Sequence, residues 1–408
     1  MPSMSSRAAV LKTALWLFVA ASAFAEDAET VKDALSKGEA SVSLRYRFEL
    51  VDEGSFEKDA YASTLRTTLG YRTLPFKGAS FFIEAQNVAA IFGDGTFNNL
   101  GAGDLGNGVM DRPAVPDPSQ TRMQQVYLRY DAFGTTFDLG RREIIYGDHR
   151  FVGNVMWRQN HQTFDAVHLV NDSLAKAKLS YSFVDNVIRI FGDEQDMASH
   201  FLNGVIDVTG ATSLELFGYL LDYQEEPLSA SSTQTYGFRL LGAEPVSQDV
   251  DLLFEAEYAK QKEFKRNPTD LDASYLELVG GVGFKGLVNL RVGRELLGAA
   301  EGLHAFQTPL ATLHKFNGWA DRFLKTPADG LIDRFVRLDG SLHSFSWFVS
   351  FHDFVADEGD ASYGSELDAS LSYRTSWAQV FATKFALYRE DGFSTDASKF
   401  WVWTQYAF

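Results

Sequence analysis

From Ser41 onward the chain keeps a two-residue period. In SVSLRYRFEL, Val42, Leu44, Tyr46, Phe48 and Leu50 fall on one face, and Ser43, Arg45, Arg47 and Glu49 fall on the other. That alternation marks a half-buried strand, not a helix. It recurs in YASTLRTTLGYR (61–72), VDLLFEAEYAK (250–260) and SYGSELDASLSYR (362–374). Candidate strands fall at 41–51, 61–73, 80–91, 121–132, 135–145, 163–171, 175–185, 187–192 extended to 200–208 with an interruption, 212–223, 233–243, 250–262, 273–284, 286–297, 331–341, 343–355, 362–374, 376–389 and 399–408. These segments run longer than the usual 5–6 residues of globular strands and match the roughly 9–11 that cross a bilayer obliquely.

Short connections such as those at Gly286 and Gly340-Ser341 alternate with longer polar ones at 223–233, 262–272 and 389–398, and two insertions are longer still, at 93–120 and 298–330. The pattern predicts an all-β fold: a transmembrane antiparallel β-barrel of about 18 strands, with short periplasmic turns and longer extracellular loops. A soluble sandwich would alternate similarly, but it would not place arginine and glutamate so often at mid-strand. A β-helix would need a short fixed repeat, and none is present.

Composition supports this solvent assignment. The mean hydropathy of -0.15 and the 14% aromatic content suit strands that average an apolar and a polar face. After residue 25 no stretch reaches the 18 consecutive apolar residues of a spanning helix. Residues 1–25 read as a secretory signal peptide, with Arg7 and Lys12 before an apolar run from Ala14 to Phe24 and Ala23-Phe24-Ala25 as the cleavage site. Their removal takes the formal net charge from -17 to -19, because the segment carries two bases and no acids. An acidic chain without basic runs argues against nucleic acid. The chain has no cysteine, hence no disulfide and no thiolate metal ligand. Residues 26–40 are expected to form a short periplasmic segment and 41–408 the barrel.

The last strand, KFWVWTQYAF, sets Phe400, Val402, Thr404, Tyr406 and Phe408 on one face and Trp401, Trp403 and Gln405 on the other. The first set suits lipid. Its terminal aromatic is the kind of signal that barrel-insertion machinery reads.

On the polar faces stand Arg45, Arg47, Arg66, Arg72, Arg129, Arg142, Arg291, Arg337 and Arg374, with Lys178 and Lys384 as weaker candidates. A guanidinium in mid-bilayer lipid costs about 2–4 kcal/mol, so these side chains are expected to point inward, where they attract anions and offer carboxylates two-pronged contacts. Each can instead pair across strands with Glu49, Glu84, Asp138, Glu255, Glu277 or Glu366 and serve only the interior.

Asp148, His149, His161 and Asp165 hold a base and an orienting acid, but no nucleophile elbow or HExxH spacing accompanies them, so they read as structural. The Asp, Asn and Gly residues of 93–111 offer oxygen ligands without the EF-hand spacing; a loop folded toward the lumen or closing the mouth is the expectation. Neither a cofactor nor a catalytic residue is implied.

GRREIIYGDHRFVGN and WRQNHQTFDAV, with HAFQTPLATLHKFNGWADRFLKTPADGLID (304–333) far downstream, resemble the alginate export family of Gram-negative outer-membrane β-barrel proteins. The resemblance runs from Glu39 to Phe408. It implies a monomeric barrel in the outer-membrane bilayer with an arginine-rich constriction that passes an anionic polysaccharide or another anionic solute. It also marks Arg141, Arg142, Tyr146, Asp148, Arg150, Trp157 and Asp165 in the first stretch, and Phe306, Gln307, Asn317, Trp319 and Asp321 in the second. Of these, Tyr146, Asp148, Arg150, Asn317, Trp319 and Asp321 are the expected loop or constriction residues. The competing reading is a barrel with a plugged lumen that binds partners at the cell surface; a hydrolase at the rim comes last.

Overall fold

A computed structural model describes residues 27–408; the expected signal peptide lies outside the described residues. Helix α1 (Val31–Ser36) precedes twenty strands. Eighteen of them close one antiparallel sheet. They are β1 (Glu39–Glu53), β2 (Ala60–Arg72), β3 (Ala79–Ala90), β4 (Gln120–Ala132), β5 (Thr135–Arg142), β6 (Thr163–Leu174), β7 (Ala177–Ile188), β8 (Glu194–Asp207), β9 (Thr212–Leu221), β10 (Thr233–Pro245), β11 (Val250–Glu263), β12 (Asp272–Phe284), β13 (Val288–Leu297), β16 (Leu331–Leu342), β17 (Phe345–Val355), β18 (Ser362–Arg374), β19 (Val380–Arg389) and β20 (Ala397–Ala407). Strands β14 (Ala299–Ala300) and β15 (His304–Ala305) form a small hairpin apart from the barrel, in the last insertion.

Each barrel strand pairs with its neighbour in sequence, and β20 pairs with β1 from Glu53 opposite Ala397 to Ser43 opposite Ala407. The closure leaves no edge, which matters because an unpaired backbone amide in hydrocarbon costs several kcal/mol. The alternation then sorts the side chains inside out relative to a soluble protein. Leu69, Val292, Phe351 and Leu367 are exposed on the outer wall, while Arg45, Arg47, Glu49 and Arg66 are buried inside. Trp401 is fully buried and its neighbours Phe400 and Val402 are exposed, as the period of the last strand requires.

The register shifts at bulges. One lies at Val184–Asn186, where Asp185 is extra opposite Asp165 and Ala166 of β6, while β8 carries an extra residue between Asp196 and Ser199. A tight turn follows, in which Arg189 N donates to Asp193 O at 2.9 Å and Gly192 takes φ +88. The segment 187–192 is therefore not the start of an interrupted strand: β7 runs through to Ile188, and β8 runs without a break from Glu194 to Asp207.

Helix α1 closes the short-turn side beside the first turn. Thr30 Oγ1 caps it by accepting from Asp33 N at 3.0 Å, and Leu74 N donates to Ala34 O at 3.1 Å. Gly38 permits the approach, since a Cβ there would stand 2.2 Å from Arg72 O.

Phe351 sits mid-strand on β17, opposite the outward-facing Val336 and Leu367 of its two neighbours. Phe351→Arg is expected to destabilise the inserted barrel by about 2–4 kcal/mol. Heat-modifiable gel mobility after refolding into lipid vesicles checks this, and an unshifted folded fraction across a urea series would contradict the lipid assignment.

Candidate functional site

Three connections on the long-loop side, 91–119, 143–162 and 298–330, fold back into the lumen, and the charges on the wall explain why. Arg45 Nη1 donates to Met156 O at 3.0 Å, and Arg47 reaches Trp157 O and the carboxylate of Asp117. Both guanidiniums also lie over the Trp157 ring, at 5.5 and 5.0 Å from its centroid. Gln159 Nε2 donates to Thr64 Oγ1 at 2.9 Å and Asn160 Oδ1 accepts from Gln86 Nε2 at 3.1 Å. The loop at 143–162 is thereby stitched to β1, β2 and β3. It meets the last insertion edge to edge: Gly153 N donates to Leu310 O at 2.9 Å and Thr312 N to His149 O at 3.0 Å.

The insertion 298–330 is held by the opposite, acidic wall. Asn317 Nδ2 donates to Glu295 at 2.7 Å, Trp319 N to Asp368 at 3.2 Å and Ala320 N to Glu366 at 2.7 Å. Gly318, at φ +81, brings the backbone against Glu366, where a Cβ would lie 2.3 Å from the carboxylate. Glycine alone reaches that conformation cheaply.

Ion pairs lock the two loops together. Arg158 contacts Glu49 at 3.3 Å and Asp321 at 3.1 Å, and Asp321 also receives Lys399 at 2.7 Å and His314 at 2.6 Å. Arg150 meets Glu295 at 2.6 Å and Asn317 at 3.1 Å. Asp148 is shared by Lys315 at 3.1 Å and Arg239 at 3.7 Å. Burial works against ionisation of Asp321, but His314, Lys399 and Arg158 outweigh it and hold its carboxyl well below the usual range. Asp148 is lowered in the same way, with Lys315 and Arg239 overcoming burial.

The histidines go the other way. Burial and the neighbouring Arg66 push His161 down to about 4, and burial and Lys315 do the same to His149. Neutral His161 fits its partners: Nδ1–H donates to Glu143 at 2.7 Å and Nε2 accepts from Arg66. Protonating Nε2 would eject that donor.

The arginines expected on the lumen wall all lie on inward faces, in two tiers. Arg45, Arg47 and Arg66 are buried beneath the docked loops, and they anchor those loops instead of facing open water. Arg72, Arg129, Arg142, Arg291, Arg337 and Arg374 are partly exposed. In this second tier Arg129 grips Asp138 through two bonds, at 2.7 and 2.9 Å, Arg142 joins the same carboxylate, and Arg291 pairs with Asp339. Arg72 donates to Tyr127 Oη at 3.0 Å and lies over the Phe82 ring, and Arg337 lies 3.8 Å from the centroid of Phe335. Neither of these two has a carboxylate within ion-pairing distance among the described residues.

The loop residues marked by resemblance separate into three groups. Asp148, Arg150, Asn317 and Asp321 form the locks just described. Tyr146 packs in an aromatic cluster and shares a hydrogen bond with Ser182 Oγ at 2.8 Å, while Trp319 stacks on Phe348 and covers Lys384, whose ammonium is 3.4 Å from the ring centroid. Arg141 and Asp165 pair with each other at 2.8 Å, away from both insertions. Asp148, His149, His161 and Asp165 therefore have separate partners and do not converge. In the 93–111 stretch the Asn99 and Asn107 side chains are spent on the loop's own backbone, and Asp111 contacts Lys58.

Sequence reasoning missed Arg158, Asp117, Glu143 and Arg239, which do as much of the locking. It also missed how the acids line up. In the register of the sheet Glu215 stands opposite Arg239, Arg239 opposite Glu257, Glu257 opposite Glu277, Glu277 opposite Glu295, and Glu295 opposite Asp333. One belt across β9 to β16 thus carries five acids and one base. Most of the other inward bases stand on β19, β20, β1, β2, β4 and β5, with Arg291 on β13, Arg337 on β16 and Arg374 on β18 as exceptions.

A closed barrel with an apolar outer wall, a charged lumen and inward-folded loops defines an outer-membrane channel. A family model described as alginate export matches residues 39–262, and the chain belongs to that family. Among solved structures it is similar to Pseudomonas aeruginosa OccK9 (OpdG), with a TM-score of 0.72, 12% identity and coverage of 92% of this chain and 99% of that one. Pseudomonas aeruginosa OpdK with vanillate aligns at a TM-score of 0.69 and 14% identity, over 91% and 98% of the two chains. Acinetobacter baumannii OccAB4 gives 0.68 and 13%, over the same shares. No curated protein matches the sequence.

Arg158→Ala leaves Glu49 and Asp321 short of a buried partner, and removal of one member of such a pair costs about 3–5 kcal/mol. The expected outcome is an undocked 143–162 loop that proteases cut in the folded barrel; a cleavage pattern identical to the parent's would contradict the lock. For pH the sign follows from the depressed histidines. Loop docking is fully stable above their ordinary value near 6.5 and loses stability as pH falls through about 4. Single-channel current noise is expected to rise between pH 7 and pH 4.5, and less so in His161→Gln.

Proposed function

We propose that this protein is a passive, monomeric outer-membrane channel for carboxylate-bearing anions, among them anionic polysaccharide segments. The observation that carries this reading is the pair Arg72 and Arg337, inward, partly exposed and without a carboxylate partner among the described residues. Arg72 is the last residue of β2, at its short-turn end, and Arg337 lies mid-strand on β16. A solute entering from that side meets guanidinium groups suited to bidentate contact with carboxylates. Their aromatic supports fix the guanidinium planes without neutralising them. Family membership supports the same solute class, as does the aromatic carboxylate named with OpdK. One chain closes the lumen, so transport needs no second copy.

The depth of loop docking favours a second statement about the resting state: the lumen is obstructed until 143–162 and 298–330 shift. A barrel that never opens would be the surface-binding alternative.

Planar bilayers under a KCl gradient test both. The parent is expected to open in discrete steps with a reversal potential on the anion side. Arg72→Gln with Arg337→Gln should reduce the anion-to-cation permeability ratio by about twofold. That corresponds to about 0.4 kcal/mol, the interaction of unit charges about 10 Å apart in water. Cation preference in the parent would overturn the anionic reading, and no conductance at any voltage would favour the plugged barrel.

A further inference from the structure

Two carboxylates of the acidic belt, Glu257 and Glu277, take no part in the loop locks, and a third, Glu255, stands beside them. Glu257 and Glu277 stand directly opposite each other on β11 and β12, and Glu255 lies two residues before Glu257 on the same face. One carboxylate oxygen from each of the three lies within 4.8 Å of the other two, the one such grouping of acids or histidines among the described residues.

Like charges directly opposite one another in a sheet repel. The local compensation is thin. Arg239 stands opposite Glu257 but already serves Glu255 and Asp148; Arg150 is engaged by Glu295, and Arg337 acts on Glu277 only from beyond ion-pairing distance. Glu257 is 3% exposed and its Oε2 has no hydrogen-bond partner. A buried carboxylate oxygen with no donor, on a residue grouped with two other acids, is one that a cation would satisfy.

We propose that Glu255, Glu257 and Glu277 bind a calcium ion on the lumen wall. Calcium bonds oxygen at about 2.3–2.6 Å, so ligands on opposite sides of it are about 4.6–5.2 Å apart, and the three oxygens fit within that span without moving. Magnesium demands near-ideal octahedral geometry at about 2.0–2.1 Å and gives up its water reluctantly, so three carboxylates fixed on two adjacent strands suit it less well. Calcium takes six to eight oxygens, so three wall ligands leave positions for water or for a carboxylate in transit. With the ion present, the charge of the three carboxylates falls from -3 to -1, and the acidic side of the lumen repels anions less. This consequence rests on the anionic-solute reading above, whereas the site itself does not.

The test uses the full barrel, refolded free of lipopolysaccharide. Titration with calcium chloride followed by calorimetry should show one saturable site, with magnesium chloride binding more weakly. Glu257→Gln with Glu277→Gln, checked for folding by heat-modifiable mobility, should weaken calcium binding by about tenfold or more, since even outer-shell changes at metal sites have effects of that size. If that pair does not fold, Glu255→Gln serves in its place. In bilayers, replacing EGTA with calcium should move the parent's reversal potential toward the anion side and leave the variant's unmoved. No saturable calcium binding, or binding equal in parent and variant, overturns the site. A calcium-dependent shift is measured against the parent's own baseline, so an initial cation preference would count against the channel's solute class and not against this ion.

Discussion

Pairing of β20 with β1 is the constraint on which everything else depends. Once no backbone amide can face hydrocarbon unpaired, the sheet must close, and closure assigns every second side chain to lipid and the remainder to the lumen. The charges of a strongly acidic chain are then concentrated in a narrow interior. Charges so confined must find partners or water. The sheet register concentrates acids on the arc from β9 to β16 and leaves most of the buried bases on the arc around β1 and β2, so a loop able to bridge them is drawn in from the rim. Docking of the insertions is thus a consequence of closure, not a separate design.

The wall and the loops divide the work. Buried arginines such as Arg47 satisfy loop carbonyls and Asp117, whereas the partly exposed arginines nearer the short turns keep contact with water. The same residue type is buried under a loop at one height and partly exposed at another. What separates them is the covering loop, since both tiers share the inward face.

The barrel was legible because a two-residue period survives in sequence: SVSLRYRFEL and the last strand announce both faces residue by residue. The period did not mark where β7 ends: the chain turns at 189–193, where Arg189 N donates to Asp193 O, and there the strand limits around 188–194 were misread. Inward orientation of the arginines was legible for the same reason. Which arginine is buried was not, because Arg45 and Arg72 differ only in whether the 143–162 loop, more than 70 positions away in the chain, lies over them. The acidic belt was hidden too. Glu257, Glu277 and Glu295 become neighbours only through register, which no local pattern specifies.

Trp157 illustrates what closure implies for assembly. Its indole stacks on His314 and meets Trp401 and Trp403 of β20 edge-on, with Arg45 and Arg47 of β1 on its face. Residues from the first strand, the last strand and the other insertion together form its seat, so the seat does not exist until the seam is zipped. Trp157 can therefore make its full set of contacts only when β1 and β20 are paired, so the middle of the barrel and its seam are completed by the same residue.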